Sequence, residues 1–377
     1  MKAPLSWLKD FVEIDLPVAE LAHLVTMAGM EVEDIRIIGM PMPAPGSTTA
    51  KVSGFTWDRE KIVAAAVTEV MPHPNADRLV LCRLADGQQE HIVLTGAPNL
   101  YEYKGKGLLP QPLMVAYAKE GSQLYDGHQE GNILTTLKRT RIRGVDSYSM
   151  ICSEKELGIS DEHEGIMFLD LEVTPGTPLV DILGDAVLDI NLLPSFARCA
   201  SILGLAREIA AITGKPLNIP RFSPPPEIGK TDYAALEITD PALNPRFVLG
   251  LIRDVTLQPS PLKVQHRLKL AGMRPINNIV DATNYAMLEL GEPLHAFDYD
   301  VLKKHAAGKQ VKIITRAARK GEKLTTLDEV ERTLDEGTIL VCDEAGILSI
   351  AGVMGGLASE VTESTRNILL EGASWNM

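Results

Sequence analysis

Two proline-rich stretches constrain this chain more than any other feature. Met40-Pro-Met-Pro-Ala-Pro-Gly-Ser47 and Pro220-Arg-Phe-Ser-Pro-Pro-Pro226 cannot form a helix interior or the middle of a sheet, because proline lacks the backbone N–H and fixes φ. They divide 377 residues into three blocks, in keeping with the two or three domains this length supports. The second stretch is expected to be stiff, since consecutive prolines favour an extended helix without internal hydrogen bonds.

Each block has its own periodicity. Before the first stretch, Asp15 and Pro17 start a short helix carrying Val18, Leu21, Leu24 and Val25 on one face, and Gly29 stops it. A strand over 31–38 follows. From Lys61 to about Leu171 the pattern is β: short apolar or alternating runs at 62–70, 79–84, 91–94 and 113–118, punctuated by Gly87, Gly96, Gly121 and Gly131. Several short strands at this spacing suggest a small barrel. Residues 201–212 give the clearest helix, with Ile202, Leu205, Ile209 and Ile212 on one face and Gly214 closing it. Beyond the second stretch the chain reads as α+β. Strands are expected at 247–254, 311–316, 338–342, 348–351 and 367–371, and helices at 261–270 and 279–290, closed by Gly272 and Gly291; Asp343-Glu-Ala-Gly346 is a hairpin turn. There is no low-complexity tract and no internal repeat.

Charge and cysteine content narrow the function classes. With 37 basic and 50 acidic residues the formal charge is −13, which excludes general nucleic-acid binding, since phosphate contacts need Lys and Arg. Any RNA contact must use a local patch; Lys138, Arg139, Arg141 and Arg143 form one, although such a run alone more often marks a solvated edge strand. The four cysteines are far apart with no CxxC pair, and the eight histidines lack metal-ligand spacing, so neither a disulfide framework nor a metal site is expected. No apolar run approaches the roughly 20 residues of a membrane span, and Met1–Phe11 lacks a signal-peptide core. A cytoplasmic protein without membrane association is expected.

Two motif groups carry more information. In the first, His73-Pro-Asn-Ala-Asp77-Arg-Leu is followed by Thr95-Gly-Ala-Pro-Asn99 and by Arg143-Gly-Val-Asp-Ser147-Tyr-Ser-Met150 through Leu157. Taken alone, Pro72, Pro74, Asn75 and Asp77 build a turn. Together these segments resemble the OB-type tRNA-binding domain shared by several aminoacyl-tRNA synthetases, with Ser149 where that family usually has Gly. In the second, Gly272-Met-Arg274-Pro-Ile-Asn277-Asn278-Ile-Val-Asp281-Ala-Thr283-Asn284 leads into Gly291-Glu-Pro293-Leu-His295-Ala-Phe-Asp298; then come Gly321-Glu-Lys-Leu324-Thr-Thr-Leu327-Asp, Ala351-Gly352-Val-Met-Gly355-Gly356 and Leu370-Glu371-Gly-Ala. Singly, each has a structural reading: a half-buried histidine, turn glycines, a solvated strand-end carboxylate. In this order they resemble the editing domain of bacterial phenylalanyl-tRNA synthetase β subunits, and the resemblance covers nearly the whole chain. The segment at 192–198 departs from it, standing where the family commonly has an Asn-Arg-Pro-Asp-like sequence.

The resemblance implies a multidomain α+β protein: a small N-terminal domain from 1–40 plus 172–220, an OB-type β-barrel inserted at 45–171, and an editing domain at 230–377. It implies tRNA contacts at Asn75, Asp77, Arg78, Lys138, Arg139, Arg141, Arg143 and Ser147. It further implies hydrolysis of Tyr-tRNA(Phe), with Glu371 accepting the tyrosine hydroxyl, His295 near the ester or amine, and Arg274 holding the tRNA end. Thr283 and Asn284 would orient the amine or the attacking water, and Ala351 and Gly352 would form a floor. The chemical need is clear, because a hydrophobic pocket rejects an added hydroxyl by only about a hundredfold. No Ser-His-Asp arrangement stands out, so positioned water and a polarised carbonyl are expected in place of a covalent intermediate. The family's β subunits continue beyond an editing domain, so the chain reads as a fragment or a naturally short version. Partners implied are tRNA(Phe) and the α subunit of an (αβ)2 enzyme; ATP and Mg2+ belong to the complete synthetase, and no cofactor is expected here. A free-standing deacylase and an inactive tRNA-binding scaffold remain open.

Overall fold

The computed structural model describes residues 1–170, 172–220 and 232–376. Of the second proline-rich stretch only Pro220 lies within the described residues. The chain separates into two compact units: Met1–Asn218 with Pro261–Arg274, and Ile219–Ser260 with Pro275–Met377.

The first unit holds two sheets. One runs Lys2–Pro4, Asp185–Asn191, Glu31–Gly39, Lys51–Thr56, antiparallel except for the last pair. The other is an antiparallel sheet in the order Met150–Ile151, Leu108–Ala118, Ile62–His73, Ala76–Ala85, Glu90–Thr95. The strands read at 62–70, 79–84, 91–94 and 113–118 all form, each longer than its apolar run. Their ladder is open: no hydrogen-bonded pairing closes the sheet among the described residues.

Why Ile62–Val67 is apolar at every position follows from its place. Ile62 and Ala64 pack with Ile38, Trp57 and Leu157 on one side, while Val63, Ala65 and Val67 pack with Val80, Cys82 and Leu84 on the other. A strand with both faces buried has no position left for a polar side chain.

The helix Leu262–Leu270, expected with the third block, belongs to the first unit. Arg267, only 4% exposed, pairs with Asp10 at 2.6 Å, donates to the Ser6 carbonyl and stacks 5.5 Å from the Trp7 ring centroid. Asp185, also buried, accepts from the Ser6 N–H and hydroxyl. Buried charges survive only when partnered in this way.

The second unit packs two sheets face to face. A three-stranded antiparallel sheet has Ile368–Ser374 in the centre, flanked by Arg246–Ile252 and Leu294–Asp298. A five-stranded sheet runs Ala234–Ile238, Val311–Ala317, Ile339–Cys342, Ile347–Ile350, Met354–Gly355. Phe247, Phe297 and Leu369 from the first meet Ile313, Val341 and Leu348 from the second in one core. The opposite face of the three-stranded sheet, Ala296, Ile368 and Leu370, packs with Val361 and with Ile279 of the helix Asn278–Leu290. Asn277 caps that helix by accepting from the Ile279 and Val280 N–H groups, and Gly291, at φ +86°, ends it. The turn at Asp343 forms as read, its carboxylate accepting from Ala345 and Gly346.

Gly54 illustrates how tightly the first unit is set. Its φ is +89°, and a Cβ there would stand 1.8 Å from the Ile37 carbonyl oxygen of the parallel neighbour strand. Replacing Gly54 by Ala combines a left-handed backbone with an overlap against rigid main chain, and should destabilise by about 2–4 kcal/mol. Chemical denaturation of the Gly54→Ala variant checks this; an unchanged midpoint would rule it out.

Candidate functional site

In the second unit, cross-strand pairing brings the chemistry together. Glu371 on the central strand lies directly opposite His295 on one side and Leu249 on the other. Side chains opposite each other in an antiparallel pair have Cβ atoms about 4.5–5.5 Å apart. His295 and Glu371 therefore sit side by side on the face that also carries Phe297 and Leu369. Neither residue is in the setting read from sequence alone. His295 lies within a strand that was not expected there, and Glu371 lies mid-strand instead of at a strand end, since the strand continues three residues further, to Ser374.

The environment is apolar. Phe297 meets the His295 ring edge-on, with centroids 4.6 Å apart. A Cβ at Gly355 would stand 2.5 Å from His295 Cε1 and 2.7 Å from Nε2, so this glycine backbone lies against the imidazole. Leu327 packs beside it and its N–H donates to the Gly355 carbonyl at 3.1 Å. Glu371 is 6% exposed, and its Oε2 is buried without a hydrogen-bond partner. Burial pushes the Glu371 carboxyl up to about 8 and His295 down to about 4. Both therefore stand neutral at neutral pH, poised as hydrogen-bonding groups in a place that excludes charge.

The other residues expected at an editing site take different positions. Ala351 is buried in the core between the two sheets, close to Phe297 and Leu369. Gly352, at φ +66°, lies under the Trp375 indole. Thr283 and Asn284 are on the Asn278–Leu290 helix, which packs through Ile279 against the other face of the three-stranded sheet. The Thr283 hydroxyl donates back to the Val280 carbonyl at 2.8 Å, and no hydrogen bond joins either residue to His295 or Glu371 among the described residues. Arg274 is exposed and falls in the segment that belongs to the first unit. Gly355, which backs His295, was overlooked as a site residue; its signal was its place in the Ala351–Gly356 run.

The other candidate surface lies in the first unit. Thr140–Ile142 and Val145–Ser147 pair as a hairpin across Arg143-Gly144, whose φ values of +50° and +92° are those of a type I′ turn. Asn75, in the Pro74-Asn75 turn, donates from Nδ2 to the Arg143 carbonyl at 3.3 Å and from its N–H to His73 Nδ1 at 3.0 Å. The two motif segments thus form one exposed edge. Asp77, Arg78, Lys138, Arg141 and Arg143 are exposed there. The Asp77 and Arg78 carbonyls accept from Lys104 Nζ and the Tyr101 hydroxyl. Arg139 stacks on Tyr148 at 5.1 Å, and Ser147, half-buried, pairs with Thr140.

Other reactive groups are unpromising. Among the described residues no three His, Cys, Asp or Glu side chains are placed to hold a metal ion. Burial raises the Cys82 thiol to about 12 and Cys342 to about 11, which leaves no thiolate nucleophile there at neutral pH. No helix is long and apolar enough to cross a membrane among the described residues.

Comparison with known proteins accords with both regions. Residues 62–178 match the putative tRNA binding domain family, and residues 243–377 match the B3/4 domain family. Phenylalanine--tRNA ligase beta subunits from Moorella thermoacetica, Dehalococcoides mccartyi and Syntrophus aciditrophicus are 43%, 41% and 39% identical to it, over 100%, 100% and 99% of the chain. The chain is homologous along its whole length to phenylalanine--tRNA ligase beta subunits. It spans less than half of those relatives, 43% of the Moorella subunit and 42% of the other two.

The buried pair gives a pH signature. Between pH 4.5 and about 8 the folded state keeps a proton on Glu371 that the unfolded chain has released, so stability falls as pH rises and levels off above 8. His295 opposes this only below its ordinary value of 6.5, where the unfolded chain gains a proton that the folded state refuses. From pH 6.5 to 8 the carboxyl contribution stands alone. The unfolding free energy of the wild-type chain relative to a Glu371→Gln variant should fall by about 2 kcal/mol across that interval. Denaturant titrations at several pH values measure it, and a constant difference would refute the assignment.

Proposed function

We propose that this chain acts as the tRNA-binding and editing part of a phenylalanyl-tRNA synthetase, hydrolysing tyrosine wrongly attached to tRNA(Phe). The observation that carries this reading is the cross-strand pairing of His295 with Glu371 among apolar side chains, within a region matching the B3/4 domain. A buried group that seeks a hydrogen bond distinguishes tyrosine from phenylalanine better than any apolar wall. Against phenylalanine it stays unpaired, at a cost of about 1–3 kcal/mol. Glu371 would take the phenolic hydroxyl, and His295, backed by Gly355, would stand toward the ester. Arg274, in the first unit, is assigned to the tRNA end, Thr283 and Asn284 to the substrate amine or the attacking water, and Ala351 and Gly352 to the floor. With no charged nucleophile, hydrolysis would use water held beside a polarised ester.

The five-stranded sheet of the first unit is read as an OB-type module that docks tRNA along the edge formed by Asn75, Arg141 and Arg143. Because the chain is acidic overall, this contact would be local and directed to the phosphate backbone. In this reading the module is taken as 45–171 and the editing domain as 230–377, except that Pro261–Arg274 stands in the first unit. Aminoacylation, with ATP and Mg2+, would belong to the complete cytoplasmic enzyme with its α subunit, of the (αβ)2 type.

Two measurements test the reading. Glu371→Ala should abolish deacylation of Tyr-tRNA(Phe) by the chain while leaving tRNA binding intact; full activity would remove Glu371 from the site. Replacing Arg141 by Ala and Arg143 by Asn, which tolerates the left-handed turn, should weaken tRNA binding. The dependence of log affinity on log salt should lose a slope of about 1 per arginine. An unchanged slope places the tRNA elsewhere.

A further inference from the structure

If the site edits as proposed, the surroundings of Glu371 decide how it would hold a substrate hydroxyl. No hydrogen bond or ion pair engages either carboxyl oxygen among the described residues, and Oε2 is shielded from solvent. Leu249 faces Glu371 from one neighbouring strand and His295 from the other, while Leu369 and Ala373 flank it on its own face. Phe247 and Phe297 share that face, and Leu348 of the opposing sheet and Ala351, just past the Ile347–Ile350 strand, belong to the same core. His295 is the one titratable group in this set, and burial holds its ring neutral. Among the described residues no cation bears on the carboxyl, whose proton affinity is raised by burial. An unpaired carboxylate here would be heavily penalised for its lost hydration, whereas a neutral acid loses far less on leaving water.

We propose that Glu371 meets its ligand as a neutral carboxylic acid, so that the group it selects is an un-ionised hydroxyl that both donates to its carbonyl oxygen and accepts from its acid proton. A carboxylate could only accept. The two-way hydrogen bond makes the neutral phenol the ligand class, with a bare ring satisfying neither half and a phenolate only one. His295, across the strand pair, is left neutral for the rest of the substrate, because it is not needed as a counter-ion. The chain would thus read a hydroxyl with no fixed charge. This inference depends on the editing function proposed for the same site.

Infrared difference spectra between the wild-type chain and E371Q test this independently of activity. At neutral pH the wild type should show the C=O stretch of a protonated carboxyl, lost as pH is raised well above 8; carboxylate bands at neutral pH overturn the proposal. Hydrolysis of Tyr-tRNA(Phe) gives the second readout. Glutamine, like the neutral acid, can both donate (from its NH2) and accept (at its carbonyl), and so E371Q should exceed E371A by about tenfold, the effect of one hydrogen bond. Wild-type activity should also decline above pH 8, and that decline should vanish in E371Q. Equal loss in E371Q and E371A overturns the two-way hydrogen bond. A protonated carboxyl combined with an E371A variant as active as wild type would instead overturn the editing reading on which the proposal rests.

Discussion

The pairing of Ile368–Ser374 with one strand on each side fixes both where Glu371 sits and what surrounds it. Strand alternation sends Leu369, Glu371 and Ala373 to one face, and the registers place Leu249 and His295 beside the carboxyl. Because Glu371 lies mid-strand in the central position, it has no free edge and little route to solvent. Its apolar surroundings, with no counter-ion among the described residues, and its place opposite His295 all follow from that one placement. A one-residue slip would turn Glu371 to the opposite face, among Ala296, Ile368 and Leu370.

A related logic organises the first unit, where the Ile62–Val67 run serves two cores at once. Residues 62 and 64 look toward Ile38 and Trp57, and residues 63, 65 and 67 toward Val80 and Leu84. Trp57 extends this by donating from its indole to the Leu157 carbonyl. The exposed edge with Asn75 and the basic hairpin therefore rests on a strand that cannot shift register without displacing both cores.

Much of the fold was legible in the sequence, for identifiable reasons. The helix at Ile202–Thr213 carried an apolar face and Gly214, and it forms with that face and that end; the Ser201 cap, whose hydroxyl accepts from the Gly204 N–H, is a property of the structure. The strands from Val311 to Ile350 were apolar runs bounded by turn residues. What escaped was non-local. Lys2–Pro4 is three residues long and exists because Asp185–Asn191 pairs with it; nothing within either segment announces the other. Leu294–Asp298 follows Gly291 and Pro293 and has no strand signal of its own; it is a strand because Ile368–Ser374 pairs with it. In the site, the motif order identified His295 and Glu371 together, but not that they would be cross-strand neighbours. It gave equal weight to Thr283 and Asn284, whose helix packs against the other face. Gly355 was visible only as a glycine, and its closeness to an imidazole is a property of the fold.

The membership of Pro261–Arg274 in the first unit governs how the polypeptide acquires its shape. During synthesis, Trp7, Asp10 and Ser6 must wait more than 250 residues for the guanidinium of Arg267 that completes their surroundings. The strand Arg246–Ile252, which belongs to the second unit, leaves the ribosome before that happens. Maturation of the two units is thus interleaved along the chain, and a cut at the second proline-rich stretch would separate the amino-terminal unit from one of its own helices.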